Sequence, residues 1–180
     1  MSATRLPEPI DRLDARITQT LARLAVPALR VALGIIFFWF GVLKFFPNLS
    51  PAETLAARTI ERLTFGVVQA GVALPVLAAW ESVIGLGLIV GRGLRPVLFL
   101  LAVQMLGTFT PLFLFPSETF TVFPFAPTLE GQYIIKNIVL IGAAMAVGAT
   151  VRGGGLVADP GDAARYADPA GVAEGQTRPT

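Results

Sequence analysis

VALPVLAAWESVIGLGLIV, residues 72–90, is an apolar stretch that carries a single charge, the carboxylate of Glu81, near its middle. About 20 mainly apolar residues make a helix long enough to cross about 30 Å of bilayer hydrocarbon. The stretch therefore predicts a transmembrane helix. Because a charge at mid-membrane costs about 2.5–3.5 kcal/mol on insertion scales, we expect Glu81 to face a neighbouring helix and not lipid.

Three further segments meet the same criterion, and the composition agrees. Of the 180 residues 54% are hydrophobic and 14% are charged, whereas soluble domains carry about 25% charged residues. The four predicted spans are residues 26–46, 72–90, 94–115 and 133–151. We therefore predict an all-α membrane protein in which a four-transmembrane-helix bundle occupies residues 26–152.

The segments outside the spans have patterns of their own. Residues 1–25 contain apolar residues at spacings of three and four, which predicts an amphipathic helix on the inner leaflet or a soluble extension of the first span. A capping pattern before Glu53 and one apolar stripe predict an interfacial helix over residues 51–64, with Gly66 as its stop. Residues 153–180 contain few large apolar residues, so we expect a disordered cytoplasmic tail. The apolar row of the first segment is Ile10, Leu13, Ile17, Leu21 and Leu24.

The distribution of charge predicts the orientation and excludes several classes of function. Ten of the fourteen basic residues fall on one side of the predicted spans, which places both termini in the cytoplasm by the positive-inside rule. No basic face suitable for nucleic acid appears. The absence of Cys and His from the sequence excludes disulfides, thiol chemistry, His/Cys zinc sites and His-ligated haem. We predict no metal site and no catalytic residue, and any redox cofactor would have to be borrowed.

Polar residues inside or beside the spans are the candidates for function. With a rise of about 1.5 Å per residue, Lys44 and Glu81 lie within about 5 Å in height, between the midplane and the outer third of the membrane. Gly41 and Gly85 lie beside them on their helices, where small residues permit close approach. The predicted ligand- or proton-binding residues are Lys44, Glu81, Gln104, Thr108, Glu130, Gln132, Tyr133, Lys136 and Asn137. Two other readings stay open: the ion pair fixes helix register only, or Lys136 reaches the headgroups.

Several motifs resemble those of a known family. Residues 81–88, ESVIGLGL, followed by GRGLR at 91–95, resemble the second-span signature of DoxX-type small membrane proteins. A narrower similarity, to the YkgB-like branch, rests on residues 30–46, 50–53, 107–109 and 128–137. The resemblance covers residues from about 28 to 150 and implies a four-helix bundle in the bacterial inner membrane.

What the resemblance implies about function is broader than a mechanism. The YkgB-like branch includes a protein linked to survival of reactive chlorine stress, and DoxX proteins elsewhere are subunits of quinone-linked oxidoreductases. We therefore expect a protein of oxidative stress defence whose polar pocket binds a quinone or a small oxidant, without an intrinsic cofactor. Its partners would be the lipid bilayer and a redox protein, or further copies of itself. The alternatives are a small proton-linked transporter, a membrane subunit of a quinone-linked oxidoreductase, and a structural subunit that positions a redox partner.

Overall fold

The computed structural model describes residues 8–47, 49–50 and 53–158, and helices dominate them. Apart from a short hairpin, these residues form seven helices, four of them long. The elements in chain order are α1 (Glu8–Leu43), α2 (Glu53–Leu63), α3 (Ala70–Val90), α4 (Leu94–Phe109), α5 (Pro111–Leu114), α6 (Pro116–Thr119), β1 (Phe120–Val122), β2 (Ala126–Pro127) and α7 (Leu129–Ala149).

Within the described ranges, four helical stretches are long and apolar enough to cross a membrane: Pro9–Leu43, Ala70–Val90, Leu94–Leu114 and Leu129–Ala149. Large apolar side chains lie on their outer surfaces, with Leu106 exposed by 74% and Val139 by 72%. A water-soluble bundle would cover such side chains, whereas a bilayer solvates them. The prediction of an all-α membrane protein with four transmembrane helices is confirmed. The buried interior contains Leu33, Phe37, Ile84, Leu88, Leu101 and Val147.

Glycines bring α1 and α3 close together. A Cβ atom added at Gly85 would overlap the backbone of Phe38, and one added at Gly34 would lie 2.9 Å from the carbonyl oxygen of Gly85. At Gly41 an added Cβ would lie 2.7 Å from the backbone nitrogen of Ser82. Because any side chain at these positions would push the helices apart, the three glycines set the α1–α3 separation.

The C-terminal end of α3 is joined to α4 by a tight turn. Gly91 and Gly93 have φ angles of 75° and 64°, which L residues with a side chain seldom adopt. The guanidinium of Arg30 on α1 donates a hydrogen bond of 2.8 Å to the carbonyl oxygen of Leu88 in the last turn of α3. Arg30 thereby satisfies a carbonyl that the helix end leaves without an intrahelical partner.

Helix α2 packs its buried residues against the bundle and ends in an unusual cap. Leu55, Ala57 and Thr59 are buried. The backbone N–H of Gly66 donates to the carbonyl oxygen of Glu61 over 2.8 Å, and that of Phe65 donates to the carbonyl oxygen of Arg62 over 3.3 Å. These are the two bonds of a Schellman motif, in which a glycine usually takes the left-handed position. Here that position is Phe65, with φ 54°, and the expected stop residue Gly66 follows it.

The proline- and phenylalanine-rich segment before α7 contains α5, α6 and the antiparallel pair β1–β2, in which Phe120 lies opposite Pro127. Thr128 ends this segment and caps α7, its hydroxyl accepting a hydrogen bond of 3.2 Å from the backbone N–H of Gly131. Since the cap precedes the apolar part of the helix, α7 begins at Leu129, one turn before the predicted span at residue 133.

Residues 29–152 form one compact unit, and residues 8–28 with 153–158 belong to a second. In the second unit residues 8–28 are helical, being the first part of α1, and all five members of the predicted apolar row are exposed. Residues 153–158 have no regular secondary structure. Residues 1–7 and 159–180 lie outside the described residues, as do Pro51 and Ala52. The start of the predicted interfacial segment falls on the first of these ranges, and most of the predicted disordered tail falls on the second. Pro51 and Ala52 are at the predicted start of α2.

Candidate functional site

Three elements of the unit formed by residues 29–152 each supply one side chain to a buried polar group. Lys44 is the first residue after α1, Glu81 lies in the middle of α3, and Gln104 lies in α4. The tight turn at Gly91 and Gly93 makes α3 and α4 antiparallel neighbours, which brings Gln104 to the level of Glu81. We call Lys44, Glu81 and Gln104 the ion-pair cluster.

The contacts within the ion-pair cluster are short. Lys44 Nζ donates to Glu81 Oε2 over 2.6 Å, and Gln104 Nε2 donates to Glu81 Oε1 over 2.9 Å. The Lys44 and Glu81 side chains are only 11% and 10% exposed. Each carboxylate oxygen therefore has its own donor, and the charge is shielded from the outer surface of the bundle. Removing one partner from a buried ion pair typically costs about 3–5 kcal/mol, because the other charge is then left buried without compensation.

The ion-pair cluster has hydrogen-bonding capacity to spare. An ammonium has three N–H groups, and Lys44 uses one on Glu81 and a second on the carbonyl oxygen of Phe40 at 3.3 Å. The Gln104 amide has two N–H groups, and one is used on Glu81. Among the described residues nothing accepts the remaining N–H of either group. One N–H group of Lys44 and one of Gln104 thus remain without an acceptor among the described residues.

Close packing beside the cluster leaves one hydroxyl without a partner. Ser82 Oγ is buried and forms no hydrogen bond within the described residues. A Cβ atom at Gly41 would lie 2.8 Å from this hydroxyl and 2.9 Å from Glu81 Cβ. Gly41 therefore allows the end of α1 to reach Glu81, and Ser82 is a polar neighbour that sequence reasoning missed. The only sequence signal for it is a serine next to an intramembrane carboxylate.

Thr108, also a predicted site residue, forms its hydrogen bond within its own helix. Its hydroxyl donates a hydrogen bond of 2.9 Å to the carbonyl oxygen of Gln104, four residues earlier in α4. Serine and threonine hydroxyls commonly bond in this way inside membrane helices. Thr108 therefore lies one turn from the ion-pair cluster and contacts it through the Gln104 backbone, not through the Gln104 amide.

The predicted site residues of α7 are not joined to the ion-pair cluster by any hydrogen bond or ion pair of the described residues. Glu130, Gln132, Tyr133 and Lys136 are exposed, and Asn137 is half-buried. Lys136 Nζ lies 5.8 Å from the centre of the Tyr133 ring, near the limit for a cation–π contact. The structure thus brings together Lys44, Glu81 and Gln104 from the predicted set, and places most of the α7 side chains on an outer face.

The ion-pair cluster combines a carboxylate, an ammonium and an amide. A carboxylate can accept or release a proton, an ammonium beside it can donate hydrogen bonds to a carbonyl oxygen, and the amide holds the carboxylate in place. A role in fixing helix register would use the same contacts, and it would leave the two remaining N–H groups without acceptors.

Comparisons with known proteins identify a family. A family model described as DoxX matches residues 25–116, which is 92 of the 180 residues and includes Lys44, Glu81 and Gln104. No curated protein and no protein of known structure matches the chain.

Proposed function

We infer that this chain, which belongs to the DoxX family of membrane proteins, binds a quinone at the ion-pair cluster. The observation that carries this proposal is the buried ion pair, with Lys44 Nζ 2.6 Å from Glu81 Oε2 between helices that span the membrane. Ionisable residues in such positions are expensive to bury and commonly mark paths of protons, ions or ligands. A quinone is a membrane-soluble ligand with carbonyl oxygens that need hydrogen-bond donors.

The free donors suit a quinone carbonyl. The unused N–H groups of Lys44 and Gln104 flank the Glu81 carboxylate and would bind one carbonyl oxygen of the quinone head. A quinone that becomes a quinol takes up two electrons and two protons. In the proposal Glu81 takes up a proton from water and passes it to the bound carbonyl oxygen, water supplies the second proton to the other quinone oxygen, and a redox partner protein that carries haem or flavin supplies the two electrons. The protein would then act as the membrane subunit of a quinone-linked system.

The physiological role that we propose is defence against oxidative stress, in particular reactive chlorine, as a member of the YkgB-like branch. A quinone site supports such a role because quinol is a reductant that is replenished within the membrane. The proposed location is the bacterial inner membrane with both termini in the cytoplasm. Its support is the excess of arginines near the termini and where α3 joins α4, with Arg92 in the turn and Arg95 in the first turn of α4.

Quinone binding to the purified protein tests the proposal. A short-chain quinone is titrated into the protein in lipid nanodiscs while tryptophan fluorescence is recorded, since Trp80 precedes Glu81 on α3. Losing a hydrogen bond to a charged group costs about 1.5–3 kcal/mol, which is roughly a tenfold to 150-fold rise in Kd. We expect such a rise for Lys44→Met. Asp14→Asn, an exposed change in the first part of α1, serves as the control and should leave the Kd unchanged.

Survival of hypochlorite by bacteria that express the variants tests the physiological role. Glu81→Gln and Lys44→Met should lose protection although immunoblots of the membrane fraction show normal insertion, and Asp14→Asn should protect like the parent. Quinone binding that is the same in parent, Lys44→Met and Glu81→Gln would contradict the binding site. Equal survival of all four strains would contradict the physiological role.

A further inference from the structure

A second site lies at the end of the bundle where α2 leads into α3. A cleft of about 660 Å³ opens there, and we call it the α2 cleft. Its walls come from the last turns of α2, from the turn that follows, and from the junction of α5 and α6. The lining residues are Arg58, Glu61, Arg62, Phe65, Gly66 and Phe115.

One wall of the α2 cleft is formed by an ion pair and an aromatic ring. The guanidinium of Arg58 donates hydrogen bonds of 2.8 Å to both carboxylate oxygens of Glu118, and it lies 4.8 Å from the centre of the Phe115 ring. A bidentate pair combined with a cation–π contact fixes the plane of a guanidinium. Because Glu118 neutralises the charge of Arg58, this wall contributes little net charge. It presents two flat surfaces, the Arg58 guanidinium and the Phe115 ring.

The charge that remains in the α2 cleft is a pair of opposite signs. The side chains of Glu61 and Arg62 form no hydrogen bond or ion pair within the ranges that the structure describes, and both are exposed to the cleft. They are consecutive residues near the end of α2, and both line the α2 cleft. A ligand that pairs with both side chains carries a negative group and a positive group.

The α2 cleft also has an apolar edge. Phe65 occupies the left-handed position of the Schellman motif, which is unfavourable for a bulky residue, and its side chain is 97% exposed. Leu63 and Val67 on either side of it are exposed as well. Since α3, which is long and apolar enough to cross a membrane, begins at Ala70, these side chains lie just before a membrane span.

We propose that the α2 cleft binds the headgroup of a zwitterionic phospholipid that carries a primary ammonium, of the phosphatidylethanolamine type. Arg62 binds the phosphodiester, Glu61 accepts hydrogen bonds from the ammonium, and the acyl chains leave the cleft along Leu63, Phe65 and Val67. The balanced charge of the cleft favours a zwitterion over an anionic lipid. The exposed phenylalanine edge favours a lipid over a soluble phosphate ester, because an amphiphile gains from both surfaces.

Native mass spectrometry of the full-length protein in detergent tests this proposal. Phosphatidylethanolamine, phosphatidylglycerol and phosphatidylcholine with identical acyl chains are titrated separately, and the Kd of the first bound lipid is determined. We expect phosphatidylethanolamine to bind most tightly. Arg62→Gln should weaken its binding about tenfold or more, the equivalent of one charge-assisted hydrogen bond. Arg95→Gln changes an exposed arginine in the first turn of α4 and should leave binding as in the parent.

A second variant and a soluble competitor complete the test. Glu61→Gln should abolish the preference for phosphatidylethanolamine over phosphatidylglycerol while binding of the latter is retained or improved. Tighter parental binding of phosphatidylglycerol, or equal losses in Arg62→Gln and Arg95→Gln, would overturn the proposal. So would glycerophosphoethanolamine binding as tightly as the lipid, since the site would then belong to a soluble ligand. Circular dichroism of each variant checks that helix content is unchanged.

Discussion

Replacing Lys44 by methionine should destabilise the protein because it leaves the Glu81 carboxylate buried without its cation. The side chain of Glu81 is 10% exposed, and after the change only the Gln104 amide would donate to it. Removal of one partner from such a pair costs about 3–5 kcal/mol. Glu81→Gln should cost less, about 1–3 kcal/mol, because Lys44 stands at the end of α1 and its flexible stem can move towards water.

The double variant Lys44→Met/Glu81→Gln separates the charge interaction from the loss of packing. It contains no buried charge, and an amide pair between residue 81 and Gln104 remains possible, so it should cost only about 1–2 kcal/mol. The two single costs then exceed the double cost by at least about 2 kcal/mol, which is the coupling energy of the pair. Both changes roughly conserve side-chain volume, which keeps cavity effects small.

Unfolding by sodium dodecyl sulfate in mixed micelles, followed by tryptophan fluorescence, measures these energies. Trp80 is a suitable reporter since its indole N–H donates to the carbonyl oxygen of Leu100 on α4 over 3.3 Å. The matched control is the pair of Arg58 and Glu118, whose side chains are 48% and 40% exposed. An exposed pair is worth about 0–1 kcal/mol, so Arg58→Met/Glu118→Gln should show little coupling. Additivity within about 0.5 kcal/mol for Lys44 and Glu81 would refute the reasoning.

Three further predictions concern the scaffold and use the same unfolding assay. Gly85→Ala should cost about 1–3 kcal/mol, because its Cβ meets the α1 backbone, whereas Gly142→Ala, which meets nothing within 4 Å, should cost nothing; equal costs would contradict the close approach of α1 and α3. Arg30→Gln should cost about 1–3 kcal/mol through the lost bond to the Leu88 carbonyl and should speed amide hydrogen exchange at the end of α3; unchanged exchange would be evidence against that cap. Phe65→Gly should be about 1–2 kcal/mol more stable than Phe65→Ala, since only glycine adopts the left-handed conformation without strain; equal stability would disprove the strain.

The long helices could be predicted from the sequence because each carries its own signal. The span at residues 72–90 differs from α3, Ala70–Val90, only at its first two residues. Helix α7 begins four residues before the predicted span. Hydropathy does not detect its polar first turn, which follows the Thr128 cap. The β1–β2 pair could not be predicted, since three and two residues give no alternating pattern to read.

The candidate site could be predicted only in part, because helix heights follow from residue counts whereas helix rotation does not. Lys44 and Glu81 have similar heights, and the glycines Gly41 and Gly85 indicated which faces pack together. The rotation of α7 about its own axis is set by packing between helices, so the sequence could not show that Tyr133 lies on an outer face. Ser82 was missed because its burial depends on the position of Gly41 on another helix.

Infrared difference spectroscopy on quinone reduction tests the central claim most directly, because it reports protonation of a single carboxyl group. The protein with bound quinone is cycled electrochemically between its oxidised and reduced forms. We predict a carboxyl C=O stretching change in the parent that is absent from Glu81→Gln and is retained in the control Asp14→Asn. A spectrum in which Glu81→Gln matches the parent, with quinone bound in both, would contradict the assignment of proton transfer to the ion-pair cluster.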